Sequence, residues 1–148
     1  MKISTKGRYG LRILMDLALH HSEKPRLIRD IAKSQQISEK YISRLVIALR
    51  KAGMVRSVRG VNGGFHIAMK PEEITVLDVV EVMEGPVSIV DCVSAPKRCK
   101  LSGDCAPREI WCSLNEDIRA LMRKTTLADI LAAYEKQNAE DGLSDYCI

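Results

Sequence analysis

The sequence predicts a mainly α-helical protein with one small β-hairpin, and three observations support this fold class. Apolar residues recur at helical spacing in several segments of the chain. Two short β-prone runs, 55–58 and 65–67, directly follow one of these helical segments. Between the two runs lies Asn62-Gly63, a pair that suits the positive φ angles of a tight hairpin turn. A helix followed at once by a basic-tipped hairpin predicts a winged helix-turn-helix.

The helix before the hairpin has a start signal, an apolar stripe and a stop signal. Ser38 is a suitable N-cap, and Glu39 places a negative charge in the first turn, where the helix dipole favours it. Gly53 is placed to end the helix. The stripe has spacing i, i+3, i+4, i+7 and consists of Ile42, Leu45, Val46 and Leu49.

The polar side of this helix is basic, and so is the tip of the hairpin at Arg59-Gly60. The polar side carries Lys40, Ser43, Arg44 and Lys51. An ordinary solvated surface would show the same residues. In a helix-turn-helix, however, the N-terminal end of the second helix contacts base edges in the major groove. We therefore predict that this helix enters a major groove of double-stranded DNA and that the hairpin reaches toward the minor groove.

Two further helices precede this one. Residues 4–21 form the first, capped by Ser4 or Thr5, with Asp16 expected on its polar side. A short second helix turns Leu27, Ile28, Ile31 and Ala32 inward. Lys6 and Arg8 either contact backbone phosphates or serve only solubility, and the sequence does not separate these two interpretations.

The charge of the chain is divided between its halves. Residues 1–70 contain 15 Lys/Arg and 4 Asp/Glu, whereas residues 71–148 contain 8 and 15, so the halves carry +11 and −7. A basic region is the electrostatic footprint of a polyanionic partner, because neutralised phosphates release condensed counterions. We expect the first half to face DNA and the second to stay off it.

Composition narrows the class of protein. Aromatic residues make up only 4% of the 148 residues, so the core must be aliphatic. No apolar run approaches the roughly 20 residues of a membrane span, and the N-terminus has no apolar signal segment. With five cysteines, these features lead us to expect a cytoplasmic protein. An enzyme such as a thiol oxidoreductase would need a reactive cysteine beside a base or second thiol, and no such local pair occurs.

The chain divides into five segments by pattern and composition. They are a winged helix-turn-helix region (1–70), a linking helix (71–85), a cysteine loop (86–106), a dimerisation helix with a closing helix (107–137) and a flexible tail (138–148). Thr75 and Asp78 predict a capping box at the linking helix, Gly85-Pro86 its end, and Pro107 the start of the next helix.

The cysteine loop carries three thiols in fourteen residues, at Cys92, Cys99 and Cys105. This spacing is not the Cys-x2-Cys pattern of common zinc sites. Thiolates on a flexible loop can nevertheless converge on one centre, and such sets suit an iron–sulfur cluster or zinc. The alternative is three ordinary loop cysteines.

The helix after the loop has a narrow apolar seam, with spacing 3, 4 and 3. The seam consists of Trp111, Leu114, Ile118 and Leu121. This spacing is typical of a coiled coil and too narrow for a helix buried in a broad core. We therefore predict a symmetric homodimer formed through this helix.

The sequence resembles the family of bacterial winged-helix repressors that includes the iron–sulfur regulator IscR, the nitric-oxide sensor NsrR and the cysteine-metabolism regulator CymR. The resemblance covers the chain from Met1 to about Ala133. It rests on ISTKGRYGLR, ISEKYISRLVIALRKAGMVRSVRGVNGGF, ITVLDVVEVMEG, the three-cysteine loop and TTLADIL.

The resemblance implies a homodimer whose affinity for operator DNA depends on an iron–sulfur cluster, usually 2Fe–2S and in some members 4Fe–4S. By position, Arg59 corresponds to the wing residue of the minor groove, and Cys92, Cys99 and Cys105 to cluster ligands. The positions matching major-groove contacts are Ser38, Lys40, Tyr41, Ser43 and Arg44.

The sequence departs from the family at the fourth ligand. Family members use a histidine three residues after the last cysteine or an aspartate of the partner's first helix. This chain has Arg108 and Arg8 there, and arginine is a poor ligand. Cys112 and Glu109 are the nearest candidates, and the alternatives are a side chain of the partner subunit, solvent or a small molecule. The alternative function is a cluster-free repressor controlled by thiol oxidation or by docking of a metabolic enzyme, as in the cysteine-metabolism relative.

Overall fold

The computed structural model describes residues 2–21 and 24–144, the last four of these by their backbone only. Within these ranges the structure is mostly helical and has one antiparallel hairpin. The elements in chain order are α1 (Thr5–Leu19), α2 (Ile28–Gln35), α3 (Glu39–Lys51), β1 (Val55–Val58), β2 (Gly64–Ile67), α4 (Val76–Glu84), α5 (Asp91–Ser94), α6 (Ala106–Lys124) and α7 (Leu127–Ser144). Single 3-10 turns at Pro71–Glu73 and Pro96–Arg98 precede α4 and follow α5. The predicted fold class is confirmed.

Helix α1 is the central element, because it packs against α2, α3, α4, α7 and β2. Ile13, Leu14 and Leu17 on α1 are almost completely buried, and they meet the apolar stripe of α3. The buried hydrophobic side chains of the described residues are all aliphatic, as the composition predicted. The main core therefore lies among the three N-terminal helices, the hairpin and α4. We call the three N-terminal helices and the hairpin together the winged-helix unit.

The last helix returns to the winged-helix unit. Thr75 and Thr126 form an isolated antiparallel bridge, and the amide of Leu127 donates to the carbonyl of Ile74 at 2.8 Å. The side chain of Leu127 is completely buried in the same core as α1. The start of α7 therefore packs into the same core as α1, although the two helices are far apart in the sequence.

The predicted helix signals are confirmed where the structure describes them. Ser38 caps α3, Thr75 and Asp78 form the capping box of α4, and Pro107 lies in the first turn of α6. Ser4, rather than Thr5, caps α1. These signals act between residues at most a few positions apart, so they can be identified without knowledge of the fold.

Asp16 was expected on the polar side of α1, but the structure buries it. Its side chain is buried, with an exposed fraction of 1%. The helix turns this side of α1 toward α2 and the hairpin, where cationic and hydroxyl partners replace water around the carboxylate.

The turn of the hairpin also differs from the predicted tight Asn-Gly turn. Val58 pairs with Gly64, so the connection has five residues. The positive φ angle lies at Gly60 (110°), and the amide of Gly63 donates to the carbonyl of Gly60 at 2.9 Å. The β-turn is therefore Gly60–Gly63, and it lengthens the tip.

Two C-terminal predictions need correction as well. The cysteine loop is not structureless, because α5 and the second 3-10 turn form within it. The flexible tail was placed from residue 138, whereas α7 continues to Ser144. Residues 138–140 are exposed and still helical, and Nζ of Lys136 lies 3.9 Å from Oε1 of Glu140 one turn on. Cys147 lies outside the described residues.

Candidate nucleic-acid interface and cysteine segment

The N-terminal end of α3 is presented by a short turn from α2. Gln36 adopts the left-handed conformation (φ 54°) at the end of α2, and the amide of Ile37 donates to the carbonyl of Ala32 at 3.1 Å. The Ser38 hydroxyl then accepts from the amide of Tyr41 at 3.3 Å. This geometry leaves the first turn of α3 on the surface while its apolar stripe is buried.

The predicted DNA-contacting residues of α3 fall into two groups. Ser38, Lys40 and Arg44 are exposed. Ser43 is half-buried, and its hydroxyl donates to the carbonyl of Glu39 at 2.8 Å. Tyr41 is half-buried against the core. The exposed cations are thus the side chains of α3 with the most freedom to reach a ligand.

Tyr41 is anchored to α1 by an aromatic contact. Its ring lies edge-on to that of Tyr9, with the centroids 5.8 Å apart. The guanidinium of Arg12 lies over the Tyr9 ring, 5.4 Å from its centroid. Arg12 also donates to the side-chain oxygen of Gln35 at 3.1 Å and to the backbone carbonyl of Gln35. These contacts fix the α2–α3 turn relative to α1.

A buried carboxylate connects α1 to α2 and to the hairpin. Asp16 accepts from Arg26 at 2.9 and 3.2 Å, from Gln35 at 3.3 Å and from the Ser34 hydroxyl. Burial by itself raises the pKa of Asp16, but these hydrogen bonds and the charge of Arg26 outweigh burial and lower the pKa below its usual value. Asp16 is therefore held as a carboxylate at neutral pH.

The hairpin is joined to the helices through Arg26. The amide of Arg26 donates to the carbonyl of Phe65, and the amide of Phe65 donates back to the carbonyl of Arg26, both at 2.9 Å. Gly64 has a φ of 152°, and an added Cβ there would lie 2.7 Å from the Arg26 carbonyl oxygen. Gly64 thus permits the close approach that fixes the root of the hairpin.

The hairpin tip is exposed. Arg59 and Gly60 both lie on the surface, and Val61 at the apex has no contact that shields it. Lys6 is exposed in the first turn of α1. The predicted cations of α1, α3 and the tip are therefore all open to solvent.

The three loop cysteines occupy different local structures. Cys92 lies in α5, Cys99 follows the second 3-10 turn, and Cys105 is the N-cap residue of α6. Cys112 lies one to two turns into α6. All four are half-buried free thiols.

The donor set matches an iron–sulfur centre by type but not by position. Among residues 2–21 and 24–144, no three His, Cys, Asp or Glu side chains lie close enough together to hold a metal ion. Arg108 has a partner within the subunit, because its Nε donates to the carbonyl of Cys92 at 3.1 Å. Glu109, the other candidate for a fourth ligand, is exposed. Within the described residues, the three loop thiols are therefore not gathered around one centre.

The start of the cysteine segment (residues 86–106) is tied to α4 and α6. The amide of Val87 donates to Glu81 at 3.1 Å, and Glu81 also forms an ion pair with Arg119. The buried side chain of Asn115 accepts from the amide of Ile89 at 3.0 Å. Sequence reasoning missed Asn115 and Glu81; a polar residue at the centre of an amphipathic helix was the available signal for Asn115.

Helix α6 exposes apolar side chains on the face away from these ties. The exposed fractions are 41% for Trp111, 43% for Leu114 and 67% for Leu121, whereas Ile118 is half-buried. Ile110, which the predicted seam did not include, is 62% exposed. The large apolar side chains on this face are thus only partly covered within the described subunit.

None of the helices in the described part of the chain combines the length and the apolar character needed to cross a membrane.

Comparison with known proteins identifies relatives across nearly the whole chain. Residues 3–133 match the model of the Rrf2 family, described as "Iron-dependent Transcriptional regulator". The chain is 41% identical over 134 residues to the HTH-type transcriptional regulator CymR of Bacillus subtilis, covering 90% of this chain and 91% of that protein. It is 34% identical over 141 residues to the HTH-type transcriptional regulator IscR of Aliivibrio salmonicida, covering 95% and 83%.

Solved structures give the same result. The structure of CymR, the global cysteine regulator of B. subtilis, superposes with a TM-score of 0.74 at 38% identity, covering 90% of this chain and 98% of that one. The structure of IscR from T. potens also gives 0.74, at 35% identity, covering 93% and 90%. The resemblance inferred from the motifs is confirmed, and the chain belongs to the Rrf2 family of DNA-binding transcriptional regulators.

Proposed function

We propose that this regulator reads its operator as a homodimer, with α3 in the major groove and the hairpin tip at the minor groove. The proposal rests on one observation: the exposed basic start of α3 and the exposed basic hairpin tip are both held in place by contacts with α1. Lys40 and Arg44 stand at the exposed start of α3, and Arg59 stands at the hairpin tip. Asp16 and Arg12 fix both elements to α1. A rigid mount favours sequence-specific contacts, because the side chains need little reordering on binding.

The direct contacts that we assign to DNA are those predicted from the sequence. They are Ser38, Lys40, Tyr41, Ser43 and Arg44 on α3, Arg59 and Gly60 at the tip, and Lys6 on α1 as a phosphate contact. Within this set, Tyr41 and Ser43 already have partners in the protein, so their share of specificity is smaller than that of Lys40 and Arg44.

The homodimer is supported by the exposed apolar face of α6. Side chains as large as Trp111 and Leu121 rarely remain uncovered together on one helix face unless they meet a partner. A second copy of the same face is self-complementary under two-fold symmetry, which is the commonest arrangement of soluble homodimers.

We further propose that the cysteine segment sets operator affinity through an iron–sulfur cluster held by Cys92, Cys99 and Cys105. Three free thiols in one short segment support this proposal, as do the family's description and the similarity to IscR. When bound, such a cluster would supply a centre whose oxidation or loss changes its charge and its ligands. The hydrogen bonds of Glu81, Asn115 and Arg108 connect the cysteine segment to α4 and α6, so a change in the segment would be passed to these helices.

A second candidate is a cluster-free regulator that responds to thiol oxidation or to a partner enzyme. Two observations favour it. The thiols are not gathered into a metal site in the described subunit, and CymR is among the most similar relatives. In this second candidate the cysteine segment acts through its thiols alone.

Iron and acid-labile sulfide analysis of anaerobically purified protein separates the two candidates. The cluster proposal expects two or four iron atoms per subunit, for 2Fe–2S or 4Fe–4S. Cys99→Ala should abolish iron and sulfide, whereas Cys112→Ala, a thiol removal on α6, serves as the matched control and should keep at least part. Full metal content in Cys99→Ala, or colourless metal-free wild type that still binds DNA, contradicts the cluster and favours the second candidate.

A further inference from the structure

The first turn of helix α1 carries unfavourable positive charge, and a carboxylate of another helix compensates for it. Its first turn contains no acidic residue, although Lys6 and Arg8 place positive charge at the positive end of the helix dipole. The first amides of a helix also lack intrahelical acceptors. The Ser4 hydroxyl accepts from the amide of Lys6 at 3.1 Å, which satisfies one of them.

The missing negative charge comes from Glu84, the last residue of α4, eighty positions along the chain from Ser4. One oxygen of its carboxylate, Oε1, accepts three hydrogen bonds from α1 and its N-cap. The donors are the amide of Ser4 at 2.8 Å, the hydroxyl of Ser4 at 2.9 Å and the amide of Gly7 at 3.1 Å. Glu84 therefore acts as a capping acid supplied by a different helix.

The backbone at Gly7 is shaped for this contact. A Cβ added at Gly7 would lie 2.6 Å from Oε1 of Glu84, closer than a real contact allows. Any larger residue at position 7 would displace the carboxylate from the first turn. The absence of a side chain at Gly7 thus leaves room for the Glu84 carboxylate in the position where it accepts these three hydrogen bonds.

We propose that Glu84 is a positioning residue for DNA binding: it holds the first turn of α1 so that Lys6 meets a backbone phosphate. This proposal rests on the proposed phosphate contact of Lys6. It makes a counter-intuitive prediction, because removing an exposed negative charge from a DNA-binding protein ordinarily tightens binding to DNA. Removing the Glu84 carboxylate should instead weaken binding, because the first turn is then no longer held.

The test is a salt titration of full-length dimer binding to a short duplex of random sequence. We expect Glu84→Ala to weaken binding roughly fivefold or more near 0.1 M salt, as Lys6→Ala does. Both variants should make the slope of log K against log salt shallower by about 0.9 for each phosphate that is no longer neutralised, or about 1.8 for a dimer. The double variant should match Lys6→Ala alone, because the two residues act on the same phosphate.

Three controls separate positioning from charge and from folding. Glu72→Ala removes the same charge from the exposed 3-10 turn and should not make the slope shallower. Glu84→Gln keeps an oxygen acceptor and should retain part of the wild-type slope. Gly7→Ala displaces the carboxylate without removing its charge and should reproduce Glu84→Ala, so it tests the contact if Glu84→Ala fails to fold.

The outcomes distinguish this inference from the proposed function. If Lys6→Ala lowers the slope while Glu84→Ala and Gly7→Ala leave it unchanged, or bind more tightly, Glu84 has no positioning role and the phosphate contact stands. If Lys6→Ala also leaves the slope unchanged, both the Lys6 contact and the role of Glu84 are wrong. Additive losses in the double variant would likewise overturn the proposal.

Discussion

At the scale of single residues, Asp16 connects several parts of the winged-helix unit through one side chain. Its carboxylate is buried, yet it accepts hydrogen bonds from Arg26, Ser34 and Gln35, which belong to the hairpin root and to α2. A buried charge that loses its partners is costly, whereas a fully hydrogen-bonded one is tolerated. Removing the acid leaves the side chain of Arg26, only 17% exposed, without this partner.

We predict that Asp16→Asn lowers the free energy of unfolding by about 3 kcal/mol at neutral pH, the scale of breaking a buried ion pair. Because hydrogen bonds and Arg26 lower the pKa of Asp16 below its usual 3.8, its stabilisation is complete above that pKa and is lost as pH falls through the folded-state value. The difference in the free energy of unfolding between wild type and Asp16→Asn should therefore become smaller in acid.

Urea unfolding at a fixed protein concentration and several pH values measures this difference in unfolding free energy. Asp30→Asn is the matched control, since the side chain of Asp30 is 43% exposed and its Oδ1 lies 3.9 Å from Nε of Arg29. Its stability should differ little from that of wild type. Equal unfolding free energies for Asp16→Asn and wild type would show that the buried network adds nothing.

At the scale of elements, the hairpin combines a fixed root with an exposed tip. Arg26 and Phe65 exchange two backbone hydrogen bonds at the root, and Gly64 allows their close approach. The five-residue tip carries Arg59 beyond the strands. A tip mounted in this way can present one arginine to a groove without moving the helices.

Arg59→Ala should weaken operator binding by about 1–3 kcal/mol, the usual scale of a specific arginine contact. A gel-shift titration against a duplex selected in vitro with wild-type protein would measure the loss. Arg56→Ala removes the same charge from β1, at a distance from the tip, and should cost much less. Wild-type affinity in Arg59→Ala would mean that the tip does not read DNA.

At the scale of the whole molecule, the protein has a basic surface and, separately, an exposed apolar face. The first 70 residues carry the basic surface, and the acidic second half carries the apolar face of α6. We expect repulsion from phosphate to keep the second half off the DNA, which would leave that face available for a second copy. A two-fold dimer built in this way reads a pseudo-palindrome, with half-sites set by the separation of its two α3 helices.

Leu121→Asp should convert the dimer to monomer, because it places a charge in the apolar interface. Leu121 is 67% exposed in the subunit, so the change should leave the subunit folded. Sedimentation at micromolar concentration tests this, and Ala120→Asp is the control, since it adds the same charge at a neighbouring exposed position outside the predicted seam. A wild-type monomer, or a Leu121→Asp dimer, would rule out this interface.

The sequence by itself determined the local structure and the family. Caps such as Ser38 and Thr75, the stripe of α3 and the paired runs of the hairpin are decided by residues close together in the chain, and the charge division needs only counting. Each of these was predictable because helix and hairpin signals depend on short-range backbone and side-chain preferences.

Only the tertiary structure decided which polar groups meet across the molecule. Asp16 was assigned to the polar side of α1, although an acid inside the apolar run ILMDLAL was a signal for a buried, partnered carboxylate. Arg12, Asn115 and Glu84 find partners 23, 26 and 80 positions away, and no periodicity encodes such pairs. The positions of the three thiols depend in the same way on how α5 and α6 pack, because contacts between distant segments form only when the whole chain encloses one core.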